Sequence, residues 1–173
     1  MSALRFIKEE IVTTAVSKVT LNDVFTDDFD FYKITLADCS TSGTTQTSIE
    51  FTLNNASGSE LATTSDYDLG YLRLNAHSGF TEHKSNATNN LFIGITDQAP
   101  EITGAELWVI NPTDSSTYTF FTHHSSGRWG GGTNNYRGFG VATNTVKCTG
   151  FNIKEVNTRP FTTVIRVYGM AKG

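Results

Sequence analysis

Four sets of residues in this chain could carry chemistry: histidines, clustered carboxylates, serines beside a histidine, and aromatics beside glycine. His123 and His124 are adjacent, with His77 and His83 elsewhere. Zinc takes imidazole nitrogens in a tetrahedral array. Adjacent residues on a strand point to opposite faces, so His123 and His124 do not converge on one ion. No Cys or His spacing motif supplies further ligands. Asp27, Asp28 and Asp30, or Asp66 with Asp68, could offer oxygen ligands to calcium. The EF-hand pattern is absent, and Asp in such clusters also serves turns. Ser125, Ser126 and Gly127 follow His124 without a G-x-S-x-G elbow. With 17 acids in the chain, some pair would always fit a glycosidase cleft, so pairing discriminates nothing. Gly130, Gly131 and Gly132 follow Trp129 with no helix after them, whereas a phosphate cradle needs a helix N-terminus. No catalytic residue, metal ligand or cofactor is assigned, and the chain is read as a non-enzyme.

The aromatics remain. Trp129, Tyr136 and Phe139 lie in or beside a Gly-rich segment, 125–135, read as a flexible loop. They are candidate surface contacts, able to stack on sugar rings or anchor a partner. The alternative is a satellite core beneath the loop. Asn86-Ala87-Thr88 fits the glycosylation sequon, which is used only on a secretory route.

The elements that must position these residues read as strands. Thr (27), Ser (14), Asn (13) and Gly (15) dominate a chain that is only 17% charged, which favours pleated surfaces and tight turns over helices. Alternation is clear at 31–37, where Tyr32, Ile34 and Leu36 share a face, at 48–53 and at 162–168. Residues 105–110 are bulky on both faces and read as a central strand. Asn111-Pro112 opens a strong turn, so 105–122 reads as a hairpin. Residues 66–75 read as a strand or bent crossover, and 77–90 as a long polar loop. The sum is an all-β, antiparallel jelly-roll β-sandwich of about 8–10 strands. It is one domain, with 1–15 as an N-terminal arm or edge strand and 16–173 as the jelly roll. Leu4, Phe6 and Ile7 are the candidate assembly contacts of the arm.

A net charge of −4 without basic runs gives no footprint for nucleic acid or an anionic membrane. Cys39 and Cys148 read as free, partly buried thiols. No apolar segment approaches the roughly 20 residues of a membrane helix. The first ten residues, MSALRFIKEE, do not read as a signal peptide.

Three motifs in order carry a family resemblance. The first is the turn Val24-Phe25-Thr26-Asp27-Asp28-Phe29-Asp30-Phe31-Tyr32. The second is the hairpin with Asn111, Pro112 and Tyr118. The third is the closing Tyr168-Gly169. Together they resemble a jelly-roll virion structural domain of tailed bacteriophages, especially marine ones, found as head decoration or cement proteins, head fibres and tail-fibre modules. The resemblance implies that Phe25, Phe29 and Tyr32 anchor the turn to the core and that Pro112 sets the hairpin. It implies virion partners (capsid or tail subunits), a homo-oligomer with a trimer or other cyclic form expected, and a location on the particle after synthesis in the host cytoplasm. The function it implies is exterior capsid decoration. The alternative is a tail-fibre or baseplate-associated protein that binds a host-surface glycan.

Overall fold

The computed structural model describes residues 4–41, 47–98, 103–129 and 132–171, and their side chains except at 96–98, 129 and 171. Twelve strands lie among them. They are β1 (Leu4–Val16), β2 (Lys18–Leu21), β3 (Phe29–Thr41), β4 (Thr47–Asn55), β5 (Tyr67–Asn75) and β6 (Gly79–Thr88). The second half holds β7 (Leu91–Gln98), β8 (Thr103–Ile110), β9 (Thr119–Trp129), β10 (Gly132–Ala142), β11 (Cys148–Glu155) and β12 (Phe161–Ala171). No helix among the described residues is long and apolar enough to cross a membrane.

The strands form an all-β antiparallel sandwich of jelly-roll type. One layer runs β2-β11-β4-β7 and the other β1-β12-β3-β8-β9-β10-β5-β6. A short parallel pairing, Ser40 with Asp97 and Thr41 with Gln98, joins the two layers at a corner. Alternating sequence explains the core side of each strand. Tyr32, Ile34 and Leu36 of β3 are buried, as are Ile49, Phe51 and Leu53 of β4 and Ile165 and Val167 of β12. Aromatic rings bridge the layers: Phe51 stacks on Phe151 at 5.3 Å and meets Phe121 edge-on at 5.5 Å.

The turn before β3 is fastened by one side chain. Tyr32 is fully buried, donates its hydroxyl to the Thr26 carbonyl at 2.6 Å and accepts from the Thr26 N–H at 2.7 Å. Its ring meets Phe25 and Phe29 edge-on. Phe29 also lies flat over Gly169 of β12, where any Cβ would strike the ring. In the 111–118 turn, Asn111 takes a positive φ of 57° and Pro112 is buried. The Pro112 carbonyl accepts from the Cys148 N–H at 2.8 Å, which ties this turn to β11. Tyr118 is exposed at its end. Cys39 and Cys148 are free and buried.

Two segments differ from their sequence reading. Residues 77–90 are a hairpin arm rather than a polar loop: β6 pairs with β5 from Asn75↔Gly79 to Tyr67↔Thr88. The Asn75 carboxamide oxygen accepts from the His77 and Ser78 N–H groups at 2.8 and 3.0 Å, which sets the turn. Residues 125–129 and 132–135 also lie on paired strands rather than in a loop, with β9 and β10 paired from Thr119↔Ala142 to Trp129↔Gly132. Both were hidden because neither shows hydrophobic alternation. Residues 4–10 belong to β1, which pairs with β12 from Leu4↔Met170 to Val16↔Phe161 and forms one edge of the wide layer. Leu4 and Phe6 are exposed, Phe6 lying edge-on to Tyr168, while Ile7 sits in a bulge and packs against the core.

Candidate functional site

The wide layer extends beyond the narrow one. Its β9-β10-β5-β6 wing projects past β7, the last strand of the narrow layer, and β7 packs against β9, β10 and β5. The wing therefore has two accessible faces, and strand register assigns every side chain to one of them.

The outer face carries an exposed apolar patch among charged residues. Leu72, Leu74, Phe80, Phe120 and Phe139 come from four neighbouring strands, and Phe80 and Phe139 are 76% and 65% exposed. Register makes them contiguous: Leu74 is opposite Phe80, Leu72 is diagonal to Phe139, and Phe120 is opposite Val141. Two shallow grooves cross this face. One, of about 430 Å³, runs between Leu72, Glu82, Lys84, Arg137 and Phe139. The other, of about 330 Å³, lies between Glu106, Trp108, Thr122, His124 and Arg137. Lys33 lies 5.5 Å from the Trp108 ring centre and pairs with Glu106 at 2.8 Å.

The inner face of the wing holds an aromatic pocket of about 110 Å³, lined by Ser48, Tyr71, Arg73, His83, Phe92, Ile95 and Tyr136. His83 and Phe92 stack on Tyr71 at 4.7 and 4.5 Å, and Tyr136 meets Phe92 edge-on at 5.0 Å. Burial pushes the Tyr136 phenol up to about 12 and Tyr71 upward, while the Arg73 guanidinium pulls both the other way. Beneath them His123 is 8% exposed, with its Nδ1 buried and lacking a hydrogen-bond partner among the described residues. Burial, then the charge of His124, depresses His123 to about 4, so it is a neutral ring near pH 7. Gly138 makes this packing possible, because a Cβ there would overlap His123 Nε2 and Tyr71.

The sequence candidates separate on this frame. Tyr136 is corrected: it is 3% exposed, a strand residue turned into the satellite core, and no loop contact. Phe139 lies on β10 rather than a loop, and its ring covers Gly70 on the outer face. Trp129 ends β9, and its side chain lies outside the described residues. Gly130 and Gly131 lie outside them too. His123 and His124 face opposite ways, with His124 bonded to the Asn135 side chain at 2.7 Å. Asp27 pairs with Lys147, Asp66 accepts from Thr63 and Asn144, and Asp68 accepts from the Ala87 N–H. Among the described residues no group of three or more His, Cys, Asp or Glu side chains is placed to hold a metal ion. Sequence reasoning missed Arg73 and Phe92. The available signal was the i, i+2 spacing that sets Arg73 beside Tyr71 on one face.

No protein-family model matches the chain. No curated protein sequence matches it either. Among solved structures it is similar to the SPBc2 prophage-derived protein YomS, at 11% identity and a TM-score of 0.31, over 97% of this chain and 92% of that one. It is also similar to the metal-free carbohydrate recognition domain of Emp46p, at 12% identity and a TM-score of 0.35, over 97% and 86%. A third is the CBM22-1 xylan-binding domain of Paenibacillus barcinonensis Xyn10C, at 10% identity and a TM-score of 0.35, over 100% and 99%.

Proposed function

We propose that this chain is a non-enzymatic structural subunit of a tailed-phage particle, a decoration protein on the capsid exterior that assembles through the outer face and edge of its wing. The phage assignment rests on the sequence motifs described above. The assembly role rests on one observation: an exposed apolar patch that ends at β6, an edge strand with no second strand neighbour among the described residues. Contiguous exposed apolar patches mark interaction surfaces, and a long open edge invites another strand.

The occupant we assign to this edge is a second copy. Paired antiparallel about His83, β6 would set Glu82 opposite Lys84 of the partner subunit, and Lys84 opposite Glu82 of the partner subunit. Opposite charges directly across strands are stabilising and like charges are not. The two-fold arrangement differs from the trimer that the resemblance implies. It keeps both outer faces on one side, so the apolar surface doubles in width for the particle to cover.

The particle test is copy number. Quantitative mass spectrometry of purified virions is expected to find this chain at hundreds of copies per particle. Absence from the particle would end this reading, and tens of copies or fewer would move it to the tail. A second reading, a glycan-binding protein of tail fibre or baseplate, is favoured by the aromatic pocket around Arg73.

A further inference from the structure

Arg73 carries a charge that the protein does not answer. Its Nε is buried with no hydrogen-bond partner among the described residues, and no carboxylate pairs with it there. Its neighbours across β10 and β6 are Tyr136 and Thr81, both neutral. Taking a guanidinium partly out of water without an anion costs free energy, and a bound anion recovers it.

The rest of the pocket is matched to such a ligand. Every polar side chain lining it can donate a hydrogen bond, and none is Asp or Glu. The hydroxyls of Tyr71, Tyr136 and Ser48 have no side-chain partner among the described residues. The walls are flat rings, Tyr71 between His83 and Phe92, with Tyr136 across from Phe92. Donors and one cation select a ligand with acceptors and a single negative charge. Ring walls select a ligand with an apolar face, and a pyranose has one. A polyphosphate would ask for several cations, and this chain carries a net charge of −4. A cavity of about 110 Å³ suits a carboxylate and the ring edge that bears it, with the remaining units lying outside along exposed β6.

The geometry points to this pocket as a binding site for the carboxylate of an acidic sugar, a uronate unit of a polysaccharide, with Arg73 holding the anion and Tyr71 and Tyr136 contacting ring hydroxyls. The assignment deepens the glycan-binding reading and is independent of assembly through the outer face.

Isothermal titration of the full chain tests it. The probes are tetrasaccharides of guluronate, mannuronate and galacturonate, their carboxyl-reduced counterparts, and inorganic phosphate. At least one uronate is expected to bind, and its reduced counterpart to bind about ten-fold or more weakly, the scale of one charged hydrogen bond. Arg73→Gln is expected to lose as much, with an unchanged melting temperature. Should Arg73→Gln fail to fold, Tyr136→Phe, nearly isosteric, carries the mutational arm and is expected to weaken binding several-fold. Equal binding of the reduced sugar would keep glycan binding and overturn the uronate assignment. Equal competition by phosphate would leave an anion site and overturn the uronate assignment; unchanged affinity in the folded variants, or no binding by any uronate, would overturn the site.

Discussion

The Tyr32 hydroxyl closes the 24–32 turn by bonding both backbone groups of Thr26. Removing it leaves a partly buried N–H and carbonyl short of a partner. Tyr32→Phe is therefore expected to cost about 1–3 kcal/mol, read by chemical denaturation. Phe51 contacts rings from both layers, so Phe51→Ala is expected to cost about 3–5 kcal/mol. An unchanged denaturation midpoint in either variant would contradict the packing described. His123 sets a pH dependence. Its folded value near 4 lies below the ordinary 6.5, so the unfolded chain takes up the proton first as pH falls. This contribution to stability is intact above about pH 6.5 and declines toward pH 4, by at most about 1.4 kcal/mol per unit. Thermal melts across that window should show the decline, and His123→Gln should flatten it. Glu60 acts lower down. Burial alone would raise it, but bonds from Lys18, Thr52 and Lys154 hold it at about 2, so its share is lost only in stronger acid.

The elements show which sequence signals survive folding. Strands with one face in the core were legible, because Tyr32, Ile34 and Leu36 or Ile165 and Val167 repeat with period two. β6 was not, because all its residues but Thr88 are exposed and alternation has nothing to report there. The outer face of the narrow layer misled differently. Thr52, Asn54 and Asn152 look like surface residues, yet they are buried in a side-chain ladder in which Asn152 donates to Thr52 and Asn54. Polar identity hid burial. The pocket was illegible for a further reason: Arg73 on β5 and Phe92 on β7 meet only through the wing's overhang, which no local pattern encodes. The same scale decides the fate of the N-terminus. Treating 1–10 as a separable arm suggests that its deletion spares the fold. β1 is instead paired along β12, with Ile7 and Val12 against the core. Deleting residues 1–10 is expected to lower the melting temperature clearly and to leave association through the wing in place. Loss of association with an unchanged melting temperature would restore the arm.

At the scale of the molecule, the mismatch between a wide and a narrow layer creates both surfaces of interest. A narrow layer as broad as its partner would cover the wing. Here the overhang leaves an inner aromatic pocket and an outer apolar face back to back on β10, β5 and β6. The β6 edge, where a second copy is assigned, is most exposed to test. Light scattering of the purified chain, compared with Glu82→Lys and Lys84→Glu, each of which sets like charges opposite across the paired β6 edges, measures it directly. Both side chains point to solvent in the isolated chain, so the variants should keep the wild-type melting temperature. The account predicts a wild-type mass of at least two chains and monomeric variants. A monomeric wild type at micromolar concentration, or variants that associate as the wild type does, would contradict it.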